Sequence, residues 1–176
     1  MVADKGTPGT GPSTVLDDLL LYRLTRLLAS AGSLVVRQCE GRHGITRREW
    51  RLIAILAQRG PLLSSELAAH AHLQRSRTSA AVTSLVSKGL GVRTPMPGNR
   101  RQVQVALTAS GRAIHDDMMP FVATLNAELY AALPPADAAR LDEMLERLQA
   151  QADRMAMTVE VPKDERRKGR RRTGDG

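Results

Sequence analysis

Only four aromatic side chains, Tyr22, Trp50, Phe121 and Tyr130, are spread over 176 residues. A core for this chain has to be assembled from Leu, Ala, Val, Ile and Met. A core rich in Leu and Ala suits closely packed helices, whereas sheets favour aromatic and β-branched residues. The expectation is a mainly α fold in which any sheet is small. The length leaves room for one domain, or one domain with a dimerisation appendage.

The apolar periodicity gives that expectation its elements. Leu16, Leu19, Leu20, Leu24, Leu27, Leu28, Ala31, Leu34 and Val35 recur at three- and four-residue spacing, which predicts a first helix over 14–40 ended by Gly41-Arg42-His43-Gly44. Thr46-Arg47-Arg48-Glu49 has the hydroxyl and carboxylate of a capping box. Trp50, Ile53, Ala54 and Ala57 then form an apolar stripe that stops at Gly60-Pro61. A short third helix follows, with Ser64 at its N-cap, Glu66 in its first turn and Leu67, Ala68 and Ala71 inward. After a break at His72-Leu73-Gln74, a fourth helix spans 75–88 and ends at Gly89. Thr78, Val82 and Leu85 are its buried stripe, leaving Gln74, Arg75, Ser76, Arg77, Ser79, Thr83 and Ser84 outside. Two short helices joined by a brief break, the second polar and basic outside, make a helix-turn-helix.

Two alternating stretches, 90–94 and 102–107, flank Pro95-Met96-Pro97-Gly98-Asn99-Arg100-Arg101 and read as a β-hairpin with cations at its tip. Thr108-Ala109-Ser110-Gly111 opens a fifth helix to about 131, with a bend expected at Pro120. Leu133-Pro134-Pro135 starts a sixth, whose Leu141, Met144, Leu145, Leu148, Ala152 and Met155 form an apolar seam. The Gly/Pro/Thr-rich segment 1–13 and the charged segment 162–176 read as a disordered arm and a disordered basic tail.

Charge is distributed unevenly. The formal net charge is +8, of which the tail from Lys163 onward carries half. No Asp or Glu occurs between Glu66 and Asp116, a stretch of 49 residues where average composition would place about five. The same stretch holds Arg75, Arg77, Lys88, Arg93, Arg100, Arg101 and Arg112. An anion-free, cation-bearing region inside a folded domain is what a phosphate-binding face requires. The plain alternative is a chance run on a solvated surface.

The order of elements, together with Leu67-Ala68, Leu85-Val86-Ser87-Lys88-Gly89-Leu90-Gly91-Val92-Arg93, Asn99-Arg100-Arg101 and Val105-Ala106-Leu107-Thr108-Ala109-Ser110-Gly111, resembles the MarR (multiple antibiotic resistance regulator) family of bacterial transcription factors over residues 15–157. The resemblance implies a winged helix-turn-helix with a helical dimerisation region. It divides the chain into an N-terminal dimerisation helix (14–44), a DNA-binding region (45–108) and C-terminal dimerisation helices (109–157). It further implies a ligand-responsive repressor that binds a pseudo-palindromic operator as a homodimer. The fourth helix would enter the major groove and Arg101, with Arg100, the adjacent minor groove. Where this chain has Asn99 the family usually has Asp, whose carboxylate holds an arginine. Where it has Ala80 the family often has Arg.

The DNA-contact candidates are Gln74, Arg75, Ser76, Arg77, Ser79, Arg93, Arg100 and Arg101. Arg75, Arg77 and Gln74 suit base edges and phosphates alike. Ser76 and Ser79 suit phosphate, and Arg93 suits a structural or backbone-contacting role. The resemblance also implies a small effector, often an aromatic carboxylate or phenol, near Ser33, Arg37, His43 and Trp50. Trp50 is most simply core.

Other chemistries have less behind them. A single cysteine, Cys39, excludes an intramolecular disulfide and reads as a small buried residue rather than a redox sensor. Cys39, Glu40, His43 and His115 have zinc-ligand chemistry without tight ligand spacing. No phosphate loop, dinucleotide fingerprint or nucleophile elbow occurs, so neither an enzyme nor a cofactor is expected. No apolar run is long enough to span a membrane and no signal peptide is visible, which points to the cytoplasm. The rival classes are a dimeric interaction scaffold that does not bind DNA and a small hydrolase or transferase.

Overall fold

The computed structural model describes residues 15–96 and 99–159, with backbone alone at 99–101. The expected arm (1–13), the hairpin residues Pro97-Gly98, the side chains of Arg100 and Arg101 and the basic tail (162–176) lie outside the described residues. The chain divides into two compact units, one up to Glu128 and one from Leu129.

The helices are α1 (Leu20–His43), α2 (Arg47–Arg59), α3 (Ser64–His70), α4 (Arg75–Ser87), α5 (Ala109–Tyr130) and α6 (Pro135–Thr158). The strands are β1 (Leu62–Leu63), β2 (Gly91–Met96) and β3 (Asn99–Leu107), in the antiparallel order β1-β3-β2. The result is a mainly helical chain with a small three-stranded sheet.

The core of the first unit is aliphatic, as the shortage of aromatics demands. Leu52, Ile53 and Leu56 of α2 meet Leu67 and Ala71, Val82 and Leu85 of α4, and Val105 of β3, all essentially free of water. Each such Leu or Ile side chain stabilises the fold by about 1.5–3 kcal/mol. The inward face of α2 differs from the expected one. Ala54 and Ala57 are only half-buried, and Leu52 and Leu56 occupy the deep positions. Larger side chains gain more from the centre, so they set the rotation of the helix and leave the alanines at its flank.

The caps follow local chemistry with two departures. Thr46 Oγ1 accepts from the Glu49 N–H at 3.2 Å and Glu49 Oε2 accepts from the Thr46 N–H at 2.6 Å, the expected capping box. Ser64, expected at an N-cap, is instead the first residue of α3. Leu63 takes the cap position because it is extended, paired with Gln104 in β1, and its N–H donates to Glu66 Oε2 at 2.8 Å. The first helix also starts later than its periodicity implies. A 3-10 turn at Leu16–Asp18 and an extended Leu19 precede it, and its C-terminus runs on through Gly41 to His43. Pro120 lies inside α5 without ending it.

At the other end of the hairpin, Gly89 turns α4 into β2 with φ 68°. The Leu90 N–H reaches back to Leu85 O at 2.9 Å and the Gly89 N–H to Val86 O at 3.0 Å, the paired bonds of a Schellman cap. Thr108 then fastens the sheet to α5. Its N–H donates to Leu90 O at 3.1 Å, its hydroxyl donates to Gly89 O at 2.8 Å, and its Oγ1 accepts from the Gly111 N–H at 3.1 Å.

In the second unit, Leu133-Pro134 separates the two helical segments and Pro135 occupies the first turn of α6. The Tyr130 hydroxyl donates to Asp142 across that turn. The seam of α6 is exposed, with Met144, Leu145, Leu148 and Met155 between 39% and 50% accessible.

Gly111 has no room for a side chain, because a Cβ there would stand 2.1 Å from the Leu90 carbonyl oxygen. Gly111→Ala is expected to cost about 1–3 kcal/mol, read as a lower urea midpoint at an unchanged m-value. Gly41→Ala, where a Cβ meets nothing within 4 Å, is expected to leave the midpoint at least as high.

Candidate nucleic-acid interface

The turn between α3 and α4 is built by backbone geometry that a hydrophobic pattern does not reveal. Ala71 closes α3 and is buried, and His72 takes φ 50°, a left-handed conformation that His tolerates better than most residues. Leu73 N–H donates to Ala68 O at 3.1 Å. The chain then enters α4, with Gln74 at the N-cap. Thr78, Ala81, Val82 and Leu85 are buried, so α4 is held by the stripe its spacing predicts. Gln74, Arg75, Ser76, Arg77 and Ser79 are all exposed together, on the first two turns of the helix. Thr78 spends its hydroxyl on Gln74 O at 3.2 Å, within α4 itself.

The far end of α4 is held by charge. Lys88 Nζ donates to Glu49 Oε2 at 2.9 Å and to Gly44 O at 2.8 Å. Glu49 is 2% exposed, so a carboxylate from the α2 capping box is also the anchor for the C-terminus of α4. Burial opposes the Glu49 charge. Ser84, the backbone and hydroxyl of Thr46, and Lys88 together outweigh burial and hold the carboxyl below the ordinary 4.5. In the sequence Glu49 is visible only as half of a capping box. Its partner stands 39 positions away, beyond the reach of any local pattern.

The hairpin adds the second arm of the surface. Arg93 pairs with Val105 in the sheet, and directly opposed residues share a face, so Arg93 stands on the side of the sheet that Val105 turns to the core. From there its Nη2 donates to Thr83 Oγ1 on α4 at 2.8 Å. The strands extend nearer the tip than alternation implies, to the pair Met96–Asn99, with an irregularity between Pro95 and Met96. Arg100 and Arg101 follow in β3.

A helix-turn-helix with a hairpin wing, bearing cations over a stretch free of carboxylates, is now in place. A profile of the MarR family matches residues 45–103, the segment from the α2 cap to the wing. In this segment the chain is similar to the MarR family. The chain is 32% identical over 74 residues to the HTH-type transcriptional regulator FarR of Neisseria gonorrhoeae, a match covering 42% of this chain and 51% of FarR. It thus spans about half the length of the curated relatives it matches. The structure of a MarR family transcriptional regulator from Silicibacter pomeroyi is 27% identical, with TM-score 0.69 over 82% of this chain and 99% of that one. BpsR of Bordetella bronchiseptica, whose DNA binding is regulated by 6-hydroxynicotinic acid, shares the fold at 19% identity and TM-score 0.69, covering 79% of this chain and 98% of BpsR.

The residues expected at an effector site do not converge. Trp50 lines an open pocket of about 300 Å³ with Val35, Arg47, Arg51, Ile55 and Val122. Ser33 donates to Ser30 O at 2.7 Å on α1, and Arg37 is exposed there. His43 turns to α5, where its Nε2 lies 3.0 Å from Asp117 Oδ2, an ion-pair approach without hydrogen-bond alignment. Arg42 shares that carboxylate at 2.7 Å. Trp50 is itself core and stacks on His115, with centroids 6.0 Å apart. Arg47 and Arg51, the cations of the pocket, were not singled out in the sequence. Nothing in their local pattern separates them from solvated helix arginines.

Cys39 is fully buried, and desolvation, with Glu40 adding to it against Arg47, pushes its thiol up to about 11. At neutral pH it is a protonated, inaccessible thiol. Cys39, Glu40, His43 and His115 do not gather: among the described residues no three His, Cys, Asp or Glu are grouped to hold a metal ion. No helix among them is long and apolar enough to cross a membrane.

The depressed Glu49 pKa has a definite sign in stability. A carboxyl whose folded value lies below its unfolded one contributes fully above about pH 4.5 and loses that contribution as pH falls through the lower folded value. Glu49→Gln is expected to cost about 2 kcal/mol at pH 7, less than a fully buried pair loses, because Lys88 keeps a third of its surface in water. The variant should also flatten the acid limb of a stability–pH curve below pH 4.5. Parallel acid limbs for wild type and variant would contradict the clamp.

Proposed function

We propose that this chain is a DNA-binding transcriptional regulator, working in the cytoplasm as a homodimer on a pseudo-palindromic operator and released by a small effector, most simply as a repressor. The observation that carries the reading is the joint exposure of Gln74, Arg75, Ser76, Arg77 and Ser79 on the first turns of α4, next to a wing that bears Arg93, Arg100 and Arg101, in a stretch without a carboxylate. A duplex presents phosphates on both sides of a groove, so a helix in the groove and cations beside it answer its shape and charge together. Arg75, Arg77 and Gln74 are the candidates for base edges, and Ser76 and Ser79 for phosphate.

Exposed apolar side chains support the homodimer. In the first unit Leu16, Leu19, Leu20, Leu21, Leu27 and Leu28 all face solvent, and in the second the α6 seam does. Rows of this kind on a single chain mark an interaction surface. On this reading 14–44 and 109–157 are the dimerisation helices around the DNA-binding region 45–108.

The effector reading rests on the pocket beside Trp50. Two guanidiniums, Arg47 and Arg51, set among apolar walls suit a small anion with an apolar body, such as an aromatic carboxylate. Arg51 Nη1 also donates to Ala71 O at 3.1 Å, at the entrance to the helix-turn-helix turn. An anion that draws Arg51 away leaves that carbonyl unpaired, which links occupancy of the pocket to the setting of α4.

Two measurements test these readings. With about eight phosphates neutralised per dimer, log affinity for a duplex is expected to fall with log salt at a slope near −7 in fluorescence anisotropy, and Arg77→Ala, Arg101→Ala to weaken binding and flatten that slope. A slope near zero refutes the basic face. Addition of 6-hydroxynicotinic acid as a probe carboxylate is expected to release the duplex from wild type and not from Arg47→Ala. Equal release from both removes the pocket from the reading.

A further inference from the structure

Thr83 lies on the outer face of α4, among residues expected to meet the nucleic acid. Its hydrogen bonds give it a different part. Its single proton is committed to the Ser79 carbonyl at 3.0 Å, in its own helix. The hydroxyl oxygen is therefore left as an acceptor, and Arg93 Nη2 from β2 donates to it at 2.8 Å. An acceptor-only oxygen has no proton to offer a phosphate. It has a fixed lone pair to offer a guanidinium.

Arg93 carries a long side chain with substantial rotamer freedom, and an exposed one gives up that freedom on binding. Among the described residues no carboxylate pairs with it, and none lies in sequence between Glu66 and Asp116. The neutral Thr83 oxygen thus orients the guanidinium without cancelling its charge. One of five N–H donors is spent on Thr83, and four remain for an anion. A carboxylate partner would hold Arg93 as firmly but would repel the phosphate.

We propose that Thr83 is a positioning residue that aims Arg93, across the gap between α4 and β2, at a backbone phosphate of bound DNA, so that helix and wing read one duplex as a single rigid surface. This rests on the DNA-binding reading above. It adds a residue that touches no DNA itself and acts through another side chain.

The test uses the full chain and a fluorescein-labelled duplex of arbitrary sequence about 30 bp long, enough for two half-sites a turn apart. Phosphate contacts act on any sequence, so the operator is not needed. Thr83→Val removes the acceptor while keeping the shape, and Thr83→Ser keeps the hydroxyl. Arg93→Ala is expected to weaken binding about tenfold and make the salt slope shallower by about one per half-site. Thr83→Val is expected to weaken it about threefold with the slope retained, because the charge remains. Thr83→Ser should bind like wild type, and Thr83→Val should add nothing in the Arg93→Ala background. The proposal is overturned if Thr83→Val binds like wild type while Arg93→Ala is weakened. It is equally overturned if the two substitutions are additive, or if Thr83→Ser fails to rescue. Failure of the wild-type chain to bind any duplex at low salt overturns the DNA-binding reading itself, and this proposal with it.

Discussion

The setting of α4 depends on one buried carboxylate. Glu49 closes the N-terminal cap of α2 through the Thr46 N–H and, with the same oxygen, receives Lys88 from the end of α4. Lys88 then bonds the Gly44 carbonyl, so the α1–α2 corner, the start of α2 and the end of α4 meet at one ionic junction. A single charge at 2% exposure is costly unless it is paired and hydrogen-bonded. Arrangements of α4 that separate Lys88 from Glu49 leave that charge uncompensated, and this penalty fixes the helix end more sharply than non-directional apolar packing does. The apolar stripe of Thr78, Val82 and Leu85 decides which face of α4 is out. The junction decides where the helix stops and how the chain leaves it.

From that stop the wing is built by close backbone contact. Gly89 reverses the chain, Leu90 offers its carbonyl to Thr108, and Gly111 lets α5 approach that carbonyl where any side chain would collide. These contacts are hydrogen bonds and steric fits between groups with little freedom, so β2 is carried rigidly with α4. Arg51 plays a comparable part on the other side of the turn, holding the carbonyl of Ala71, just past α3, while its guanidinium lines the pocket beside Trp50. The candidate interface is thus gripped at one end by α2 side chains remote in sequence and at the other by β2, which follows α4 directly.

Much of this was legible before any coordinates. Three- and four-residue spacings marked most of the helices, Thr108-Ala109-Ser110-Gly111 marked the start of the fifth, the Thr46–Glu49 signature marked a cap, and the acid-free stretch marked the exposed cations of α4 and the wing as candidates. What escaped were features without a local signature. The two-residue strand β1 is too short for an alternation to register and exists because Leu62 and Leu63 pair with Val105 and Gln104. The same pairing moved the cap of α3 from Ser64 to Leu63. Leu52 and Leu56 displaced Ala54 and Ala57 from the centre because burial rewards size, and the extent of burial depends on neighbours. Of the residues expected at an effector site, only Trp50 reached the pocket. Position along α1 says nothing of whether Ser33, Arg37 or His43 points inward.

By itself the sequence determined that this chain would be helical, roughly where each helix lies and turns, and which stretch is free of anions. Those properties follow from periodicity, capping and charge, which act between residues a few positions apart. The tertiary structure alone decided that Lys88 finds Glu49, that Arg93 finds Thr83, and that Arg47 and Arg51 border one pocket. Each of these depends on distance in space, which a linear pattern does not encode until packing has brought the elements together.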